Sequence, residues 1–159
     1  MLLNRVLVTG ASSGFGRQLA IEFAKNGKNL FITGRNEEQL LCLKKNVEQY
    51  GVNCVYCTAD LNDPDQLLNL TNKVVDHKVS TLINNAGVLC KGIPLFELDK
   101  KYVEEILNVN FSIPILLTFA LKKTLKEVIN INSICGIELK KIDLFTVLPS
   151  GACVHFLIV

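Results

Sequence analysis

The sequence predicts an α/β protein built on a doubly wound parallel sheet. Short, nearly continuous apolar segments alternate along the chain with segments of helical spacing, which is typical of a parallel sheet covered by helices on both faces. A glycine-rich turn directly follows the first apolar segment. The length of 159 residues, 49% of them hydrophobic, fits one domain with a buried core.

The first 60 residues supply three strands and two helices. The predicted strands lie at residues 5–9, 29–33 and 53–58. The first helix covers residues 17–25, where apolar side chains recur at helical spacing. The second runs from about residue 37 to 49 and ends before Gly51.

The second half continues the same alternation. Asn62 or Asp63 caps a third helix, which has Pro64 in its first turn and runs to about residue 75. The remaining elements are a strand at 80–84, helical segments at 99–108 and 113–125, and a fifth strand at 127–131. Right-handed crossovers would give a Rossmann-like sheet with its ligand at the carboxyl ends of the strands. The alternation stops after Ser133, so we expect the sheet to be incomplete after the fifth strand.

Charge and hydropathy argue against several classes of partner. The 17 Lys+Arg and 15 Asp+Glu residues give a formal charge of +2, and the lysine pairs are dispersed, so we expect neither nucleic acid nor anionic lipid as a ligand. No apolar run approaches the roughly 18 residues of a membrane span, and residues 1–3 are too short for a signal-peptide core. The six cysteines then indicate reduced thiols and a cytoplasmic protein.

Cys54 and Cys57 spell C-x-x-C, a spacing found in redox and zinc sites. Both lie in a predicted strand, where positions three apart point to opposite faces, and no second ligand pair accompanies them. His77 and His155 have no partner nearby in the sequence. We therefore expect no metal site.

Gly10, Gly14 and Gly16 form a turn between the first strand and the first helix. Glycines allow a tight turn and a close approach of the backbone to a pyrophosphate, while a helix N-terminus offers free N–H groups and positive potential. The pattern indicates a dinucleotide site, and its alternative is a turn without a ligand.

Arg35 and Asp60 lie just past the second and third strands. An NAD site usually places a carboxylate after the second strand, whereas this chain has Gly34 and then a guanidinium suited to a 2′-phosphate. This favours NADP(H) over NAD, with a surface arginine as the alternative. Asp60 suits a hydrogen bond from the adenine amino group or a role in a turn or helix cap.

Together these segments resemble the short-chain dehydrogenase/reductase family, over residues 1 to about 137. The matching segments are T-G-A-S-S-G-F-G at 9–16, A-D-L at 59–61, N-N-A-G at 84–87, Asn110, and Ser133. The two glycine-containing motifs at these strand ends are together far more specific than either is alone.

The resemblance implies a role for each matching residue. The residues that would line the phosphates are Gly10, Ser12, Ser13, Gly14, Phe15 and Gly16. Arg35 would hold the 2′-phosphate, and Asp60 and Leu61 would contact adenine. The residues that would border the adenosine ribose and stabilise the sheet centre are Asn84, Asn85, Ala86 and Gly87. Asn110 would position a water in a proton relay, and Ser133 would bind the substrate carbonyl as a second catalytic residue.

The tyrosine and lysine that the family uses to move the proton are absent. The pair should begin about thirteen residues after Ser133, where this chain has Thr146 and, four residues later, Ser150. Losing a general acid typically costs roughly 10²–10⁴ in rate. We therefore expect this chain to be a poor catalyst.

A shift of reading frame accounts for the missing pair. Codons for residues 145–150, read from the third base of each, permit Tyr-Cys-Ala-Ser-Lys, and residues 140–142 can be encoded by a run of A that has lost one base. We interpret 1–137 as an NADP-binding Rossmann-like domain and 138–159 as an out-of-frame tail, with a real alternative C-terminus as the rival. Sequencing the gene through codons 138–150 decides between them.

The functional hypothesis is an NADP-dependent oxidoreductase that transfers hydride between NADP(H) and a small carbonyl or alcohol substrate, impaired in this truncated form. The resemblance also implies a homo-oligomer for the intact family form. A non-catalytic NADP(H)-binding module or sensor is the alternative, and an interaction protein that binds no dinucleotide is the third. NADPH binding separates the third from the other two.

Overall fold

The computed structural model describes residues 5–89, 97–132 and 153–158. Six strands form one sheet in the order β3-β2-β1-β4-β5-β6, and every pairing is parallel. The strands are β1 (Arg5–Val8), β2 (Asn29–Gly34), β3 (Cys54–Thr58), β4 (Val79–Asn84), β5 (Glu127–Asn132) and β6 (Cys153–Ile158). The strand order reverses direction between β1 and β4, so a crevice is expected at that point.

Helices follow the strands in the alternation that the sequence predicts. The α-helices in the described residues are α1 (Gly14–Lys25), α2 (Glu37–Glu48), α3 (Pro64–Asp76), α4 (Lys100–Leu107) and α5 (Ile113–Ala120). A π-helical turn, Asn108–Ser112, joins α4 to α5 without a break. Helix α1 begins three residues before its predicted start, because its first turn contains Gly14 and Gly16, which add nothing to an apolar pattern.

The sheet is buried on both faces, which explains why its strands are apolar at almost every position. One face packs against α3 and α5, with a core that includes Leu7, Phe31, Leu70, Leu82 and Leu117. The other packs against α1 and α2, with a core that includes Val8, Ala20, Ile32, Leu43 and Ile83. The central strands β1 and β4 are therefore held rigidly, and the polar residues that follow them are placed accurately.

Cys54 and Cys57 lie on opposite faces of the sheet, as the strand alternation predicts. Cys54 belongs to the core beneath α1 and α2, and Cys57 belongs to the core beneath α3 and α5. Burial raises the pKa of the Cys54 thiol to about 12. Within the described ranges, no group of three or more His, Cys, Asp and Glu residues is arranged to hold a metal ion.

The predicted doubly wound, Rossmann-like sheet is confirmed, and the structure extends it by one strand. Residues 153–158, for which the sequence predicted no strand, pair with all six residues of β5. The segment C-V-H-F-L-I is rich in residues that favour strands, and the outer edge of β5 would otherwise present unpaired N–H and C=O groups. Edge pairing thus accounts for β6.

The continuous helix from α4 through α5 has a strongly apolar surface. Its 21 residues, Lys100–Ala120, are long and apolar enough by composition to cross a membrane, as are many core helices of soluble proteins. Its exposed large apolar side chains are Leu107, Phe111, Ile115, Leu116 and Phe119. Its buried residues include Ile113 and Leu117, which pack on the sheet.

Candidate cofactor-binding site

A cavity of about 440 Å³ opens at the carboxyl ends of the strands, in the region where the strand order reverses. Strands β1, β2, β3 and β4 all end at this cavity, and α4 closes one side. The predicted residues that line it are Gly10, Ser12, Ser13, Gly14, Phe15, Arg35, Asp60, Leu61, Asn85, Ala86 and Gly87. The structure thus brings together four segments that are far apart in the sequence.

The turn after β1 depends on its glycines for two different reasons. Gly10 and Gly14 have φ of +65° and +55°, which L side chains rarely adopt. Gly16 instead allows close packing, because a Cβ there would lie 2.2 Å from Nδ2 of Asn85 and 2.6 Å from the carbonyl oxygen of Gly10. Gly16 does not itself line the cavity, but it lets α1 approach the sheet beneath it.

The N-terminus of α1 is left open toward the cavity. Its N-cap residue, Ser13, makes no side-chain cap hydrogen bond. By contrast, the side chains of the N-cap residues of α2, α3 and α4 each accept a backbone N–H of their own helix; these residues are Asn36, Asp63 and Asp99. Ser13 and Gly14 both line the cavity. The first N–H groups of α1 and the positive end of its dipole therefore offer a site for an anion.

Asn85 locks the glycine turn to the end of β4. Its Nδ2 donates to the carbonyl oxygens of Thr9 and Gly10, at 2.9 and 3.3 Å. The Oγ1 of Thr9 in turn accepts the backbone N–H groups of Asn85 and Ala86, both at 3.0 Å. The phosphate turn and the N-N-A-G segment therefore form one rigid unit.

Asn84 has a different environment from its neighbour. Its side chain is buried, donates to Oδ1 of Asn130 on β5 at 2.9 Å, and does not line the cavity. This contact ties β4 to β5 at the carboxyl edge of the sheet. The sequence alone grouped Asn84 with the residues around the ribose, and the structure places it within the sheet.

Arg35 lines the cavity immediately after β2, with an exposed side chain. Gly34 precedes it and packs against Ser12, because a Cβ on Gly34 would lie 2.9 Å from the Ser12 Oγ. This close contact brings the end of β2 against the glycine turn. Arg35 therefore follows directly on this contact and lines the same cavity as the open N-terminus of α1.

Asp60 serves the turn after β3 and also lines the cavity. Its Oδ1 accepts the backbone N–H of Asn62 at 2.9 Å, and its own N–H donates to Oε1 of Gln66 at 2.9 Å. The cap of α3 is Asp63, whose carboxylate accepts the N–H groups of Asp65 and Gln66. The helix-cap alternative for Asp60 is therefore wrong, while its turn contact leaves a second carboxylate oxygen for a ligand.

Asn110 holds the loop that forms one side of the cavity. Its Oδ1 accepts the backbone N–H of Val88, and its Nδ2 donates to the Val88 carbonyl, both at 2.8 Å. Asn110 lies in the π-helical turn, and Val88 lines the cavity. Both ends of its amide are therefore engaged with the loop after β4.

Ser133 and the tail segment 138–152 lie outside the described residues. Ser133 directly follows Asn132, the last residue of β5. Sequence reasoning also missed several residues that the structure adds to the cavity wall, namely Thr33, Val88, Leu89, Glu105 and Val109. Only the docking of α4 over the strand ends brings Glu105 and Val109 there, and no sequence motif marks that docking.

Comparison with known proteins identifies the family. A family model described as short chain dehydrogenase matches residues 4–143. Sulfoacetaldehyde reductase 2 of Chromohalobacter salexigens is 32% identical over 139 residues, which cover 82% of this chain and 55% of that protein. The NADPH-dependent pterin aldehyde reductase of Arabidopsis thaliana is 29% identical over 107 residues, covering 66% of this chain and 44% of that protein.

A solved structure has the same arrangement. The short-chain dehydrogenase from Sphingobium yanoikuyae in complex with NADPH superposes with a TM-score of 0.80 at 29% identity, covering 87% of this chain and 57% of that one. The present chain spans about half the length of the curated relatives that it matches. Since the family model covers most of the sequence, the chain belongs to the short-chain dehydrogenase family.

Proposed function

We propose that this chain binds NADP(H) in the cavity and forms the cofactor-binding part of a short-chain dehydrogenase/reductase. The observation that carries the proposal is the position of Arg35 beside the open N-terminus of α1. A helix N-terminus suits the pyrophosphate, and a guanidinium suits the 2′-phosphate through paired N–H donors. The cavity thus offers one group for the pyrophosphate, which all dinucleotides share, and one for the 2′-phosphate, which distinguishes NADP(H) from NAD(H).

The residues of the turn fit a dinucleotide. A Cβ on Gly10 would lie 2.9 Å from the Ala86 Cα, so the backbone can keep this shape only with glycine there. Around Gly14 no atom lies within 4 Å of where a Cβ would be, which leaves open space above the start of α1. Two of the similar proteins described above carry NADPH in their names, which supports the same cofactor here.

The proposed reaction is hydride transfer between NADP(H) and a small carbonyl or alcohol substrate. Bound NADP(H) supplies or accepts the hydride. Ser133, which directly follows β5, would donate a hydrogen bond to the substrate carbonyl. Instead of holding a relay water with its side chain, as the resemblance implies, Asn110 would support the site by fixing Val88, since its amide is already engaged there at both ends. In the family a tyrosine and a lysine four residues later move the proton, and no such pair occurs in this sequence.

We also propose that residues 138–159 are read in a shifted frame and replace the segment that carries this pair. The family model matches as far as residue 143, close to the A-rich codons that residues 140–142 permit. With codons that the sequence permits, restoring one base there gives a tyrosine thirteen residues after Ser133 and a lysine four residues later. The rival proposal, a non-catalytic NADP(H)-binding module, keeps the tail as a functional C-terminus.

The test compares two versions of the protein with NADPH and a panel of small aldehydes and ketones. The chain as given should bind NADPH but oxidise it no faster than buffer. The version with the frame restored should reduce at least one carbonyl compound. Replacing its restored tyrosine by Phe should lower the rate of this reduction by roughly 10²–10⁴-fold. A restored version that binds NADPH but reduces nothing would favour the non-catalytic module.

We further propose that the intact protein is a cytoplasmic homo-oligomer that pairs through α4 and α5. The exposed apolar side chains on these helices, such as Phe111 and Phe119, are the part of the described surface best suited to a second copy. Phe119→Asp should then shift the frame-restored protein to a smaller species in sedimentation velocity. An unchanged sedimentation coefficient would locate the contact elsewhere.

A further inference from the structure

One carboxylate on the cavity wall belongs neither to the phosphate sites nor to the turns that shape the cavity. Glu105 lies in α4, is half-buried and lines the cavity. Its carboxylate makes no hydrogen bond or ion pair with other described residues. The adjacent Glu104 is more exposed, and its Oε1 lies 3.6 Å from Nζ of Lys100. Glu105 is thus a charged group turned toward a cavity that we assign to a polyanion.

Two contacts of neighbouring residues show where Glu105 lies on the cavity wall. Residues three and four positions apart share one face of a helix. Asn108, three residues after Glu105, donates from Nδ2 to Oδ1 of Asn62 at 3.2 Å. Tyr102, three residues before it, donates from Oη to the carbonyl oxygen of Leu89 at 2.7 Å. Glu105 therefore faces the cavity between the turn after β3 and the loop after β4.

The position of the phosphates determines what part of NADP(H) reaches this end. The pyrophosphate belongs at the start of α1, and the 2′-phosphate belongs at Arg35 after β2. The turn after β3, with Asp60 and Leu61, lies on the far side of β2 from β1. Beyond the 2′-phosphate on that side, the group that remains is the adenine base.

Adenine also supplies the chemistry that an unpaired carboxylate needs. A carboxylate near a polyanion disfavours binding unless it accepts hydrogen bonds from the ligand. The exocyclic amino group of adenine has two N–H donors, one on each side. Asp60 already uses Oδ1 for the N–H of Asn62, so its remaining oxygen suits one donor only. The second donor is left for an acceptor on the adjoining part of the cavity wall, where Glu105 lies.

We propose that Glu105 determines base specificity by accepting one N–H of the adenine amino group while Asp60 accepts the other. This inference rests on the proposed NADP(H) site. It predicts strong discrimination against a base that carries an acceptor in place of the amino group, since two carboxylates would then face an oxygen. Hypoxanthine is such a base, because a carbonyl oxygen replaces the amino group.

The test measures dissociation constants of NADPH and of reduced nicotinamide hypoxanthine dinucleotide phosphate with the full chain. The wild type should prefer NADPH. The amide of Glu105→Gln can donate to the carbonyl oxygen of hypoxanthine, so this variant should bind the hypoxanthine ligand more tightly than the wild type and NADPH more weakly. The preference for NADPH should fall roughly tenfold. Misfolding cannot produce a gain in binding.

Glu104→Gln is the matched control, because it removes the same charge one residue away on the more exposed part of α4. Its preference for NADPH should equal that of the wild type. If Glu105→Gln tightens or weakens both ligands equally, the effect is one of charge only and the inference is overturned while the NADP(H) site stands. Absence of saturable NADPH binding by the folded wild type overturns the site and the inference together.

Discussion

At the scale of single residues, neighbouring positions in one motif have unlike roles because strand geometry separates them. Asn84 still belongs to β4 and reaches sideways to Asn130, whereas Asn85 lies past the strand end and reaches the glycine turn. The motif N-N-A-G predicts that this segment matters, but side-chain direction depends on where the strand ends. Sequence reasoning therefore located the segment correctly and could not separate the two roles.

The packing of Gly16 gives the first prediction. In Gly16→Ala the new Cβ would meet the Gly10 carbonyl and the Asn85 side chain, so the turn must shift. We expect a loss of about 1–3 kcal/mol in the free energy of unfolding, as for other overpacked sites, together with loss of NADPH binding. Urea unfolding and NADPH titration measure the two effects.

Gly51→Ala is the control for Gly16→Ala. Gly51 has φ of +76° and no atom within 4 Å of an added Cβ, so it reports the backbone cost alone, about 1 kcal/mol. The Gly51→Ala variant should be less stable than the wild type and should still bind NADPH. Equal NADPH affinity in both variants would show that the contact between Gly16 and Asn85 does not shape the site.

Thiol reactivity gives the second prediction at this scale. Burial holds the pKa of Cys54 at about 12, so its thiol stays protonated at neutral pH, and Cys57 is buried on the other face. An alkylating reagent should label the exposed Cys42 in the native protein and leave Cys54 and Cys57 unlabelled. Peptide mass mapping reads the result. Rapid labelling of Cys54, or a disulfide between Cys54 and Cys57, would contradict the burial of these thiols on opposite faces of the sheet.

At the scale of elements, helix caps position the turns that surround the cavity. Asp63 is the N-cap of α3 and thereby fixes the turn that carries Asp60 and Leu61. The backbone N–H of Gln66, followed by its side chain, holds the pKa of Asp63 below its ordinary value. Because the folded-state pKa is lowered, the ionised carboxylate stabilises the fold above the unfolded pKa and loses this effect as pH falls through the folded pKa.

Asp63→Asn and Asp63→Ala test this contribution. At pH ~7 the wild type should unfold at the highest urea concentration, with Asn next and Ala lowest, since Asn keeps the acceptor but not the charge. At pH ~3, below the ordinary aspartate pKa of about 3.9, the advantage of the wild type over Asp63→Asn should shrink. A constant difference across this range would show that the charge of Asp63 contributes nothing.

The helix after β4 shows what an apolar pattern cannot predict. The two predicted helical segments are one continuous helix with a π-helical turn that contains Asn110. A π-helical turn has one residue more than an α-helical turn, so it changes which side chains face the sheet on either side of it. The contact of Asn110 with Val88 and the placement of Glu105 on the cavity wall both depend on this turn. Apolar periodicity predicts that both helical segments exist, but it does not predict how far one is rotated about the helix axis relative to the other.

At the scale of the whole molecule, the strand order brings the functional segments together. Strands β1 to β5 and the glycine turn were predictable, because buried parallel strands are apolar throughout and their ends are marked by polar residues and glycine. Strand β6 was not, since its position depends on the free edge of β5 and not on any motif of its own. The cavity depends on the first four strands, which lie away from that edge.

The central claim, an NADP(H) site built around Arg35, is tested most directly by titrating the folded chain with NADPH and NADH. We predict saturable binding of one NADPH per chain, at least about tenfold tighter than NADH because of the charge-assisted contact with the 2′-phosphate. Arg35→Ala should remove this preference and leave NADH binding unchanged. Equal affinity for the two cofactors, or no saturable binding by a chain shown to be folded, would contradict the account.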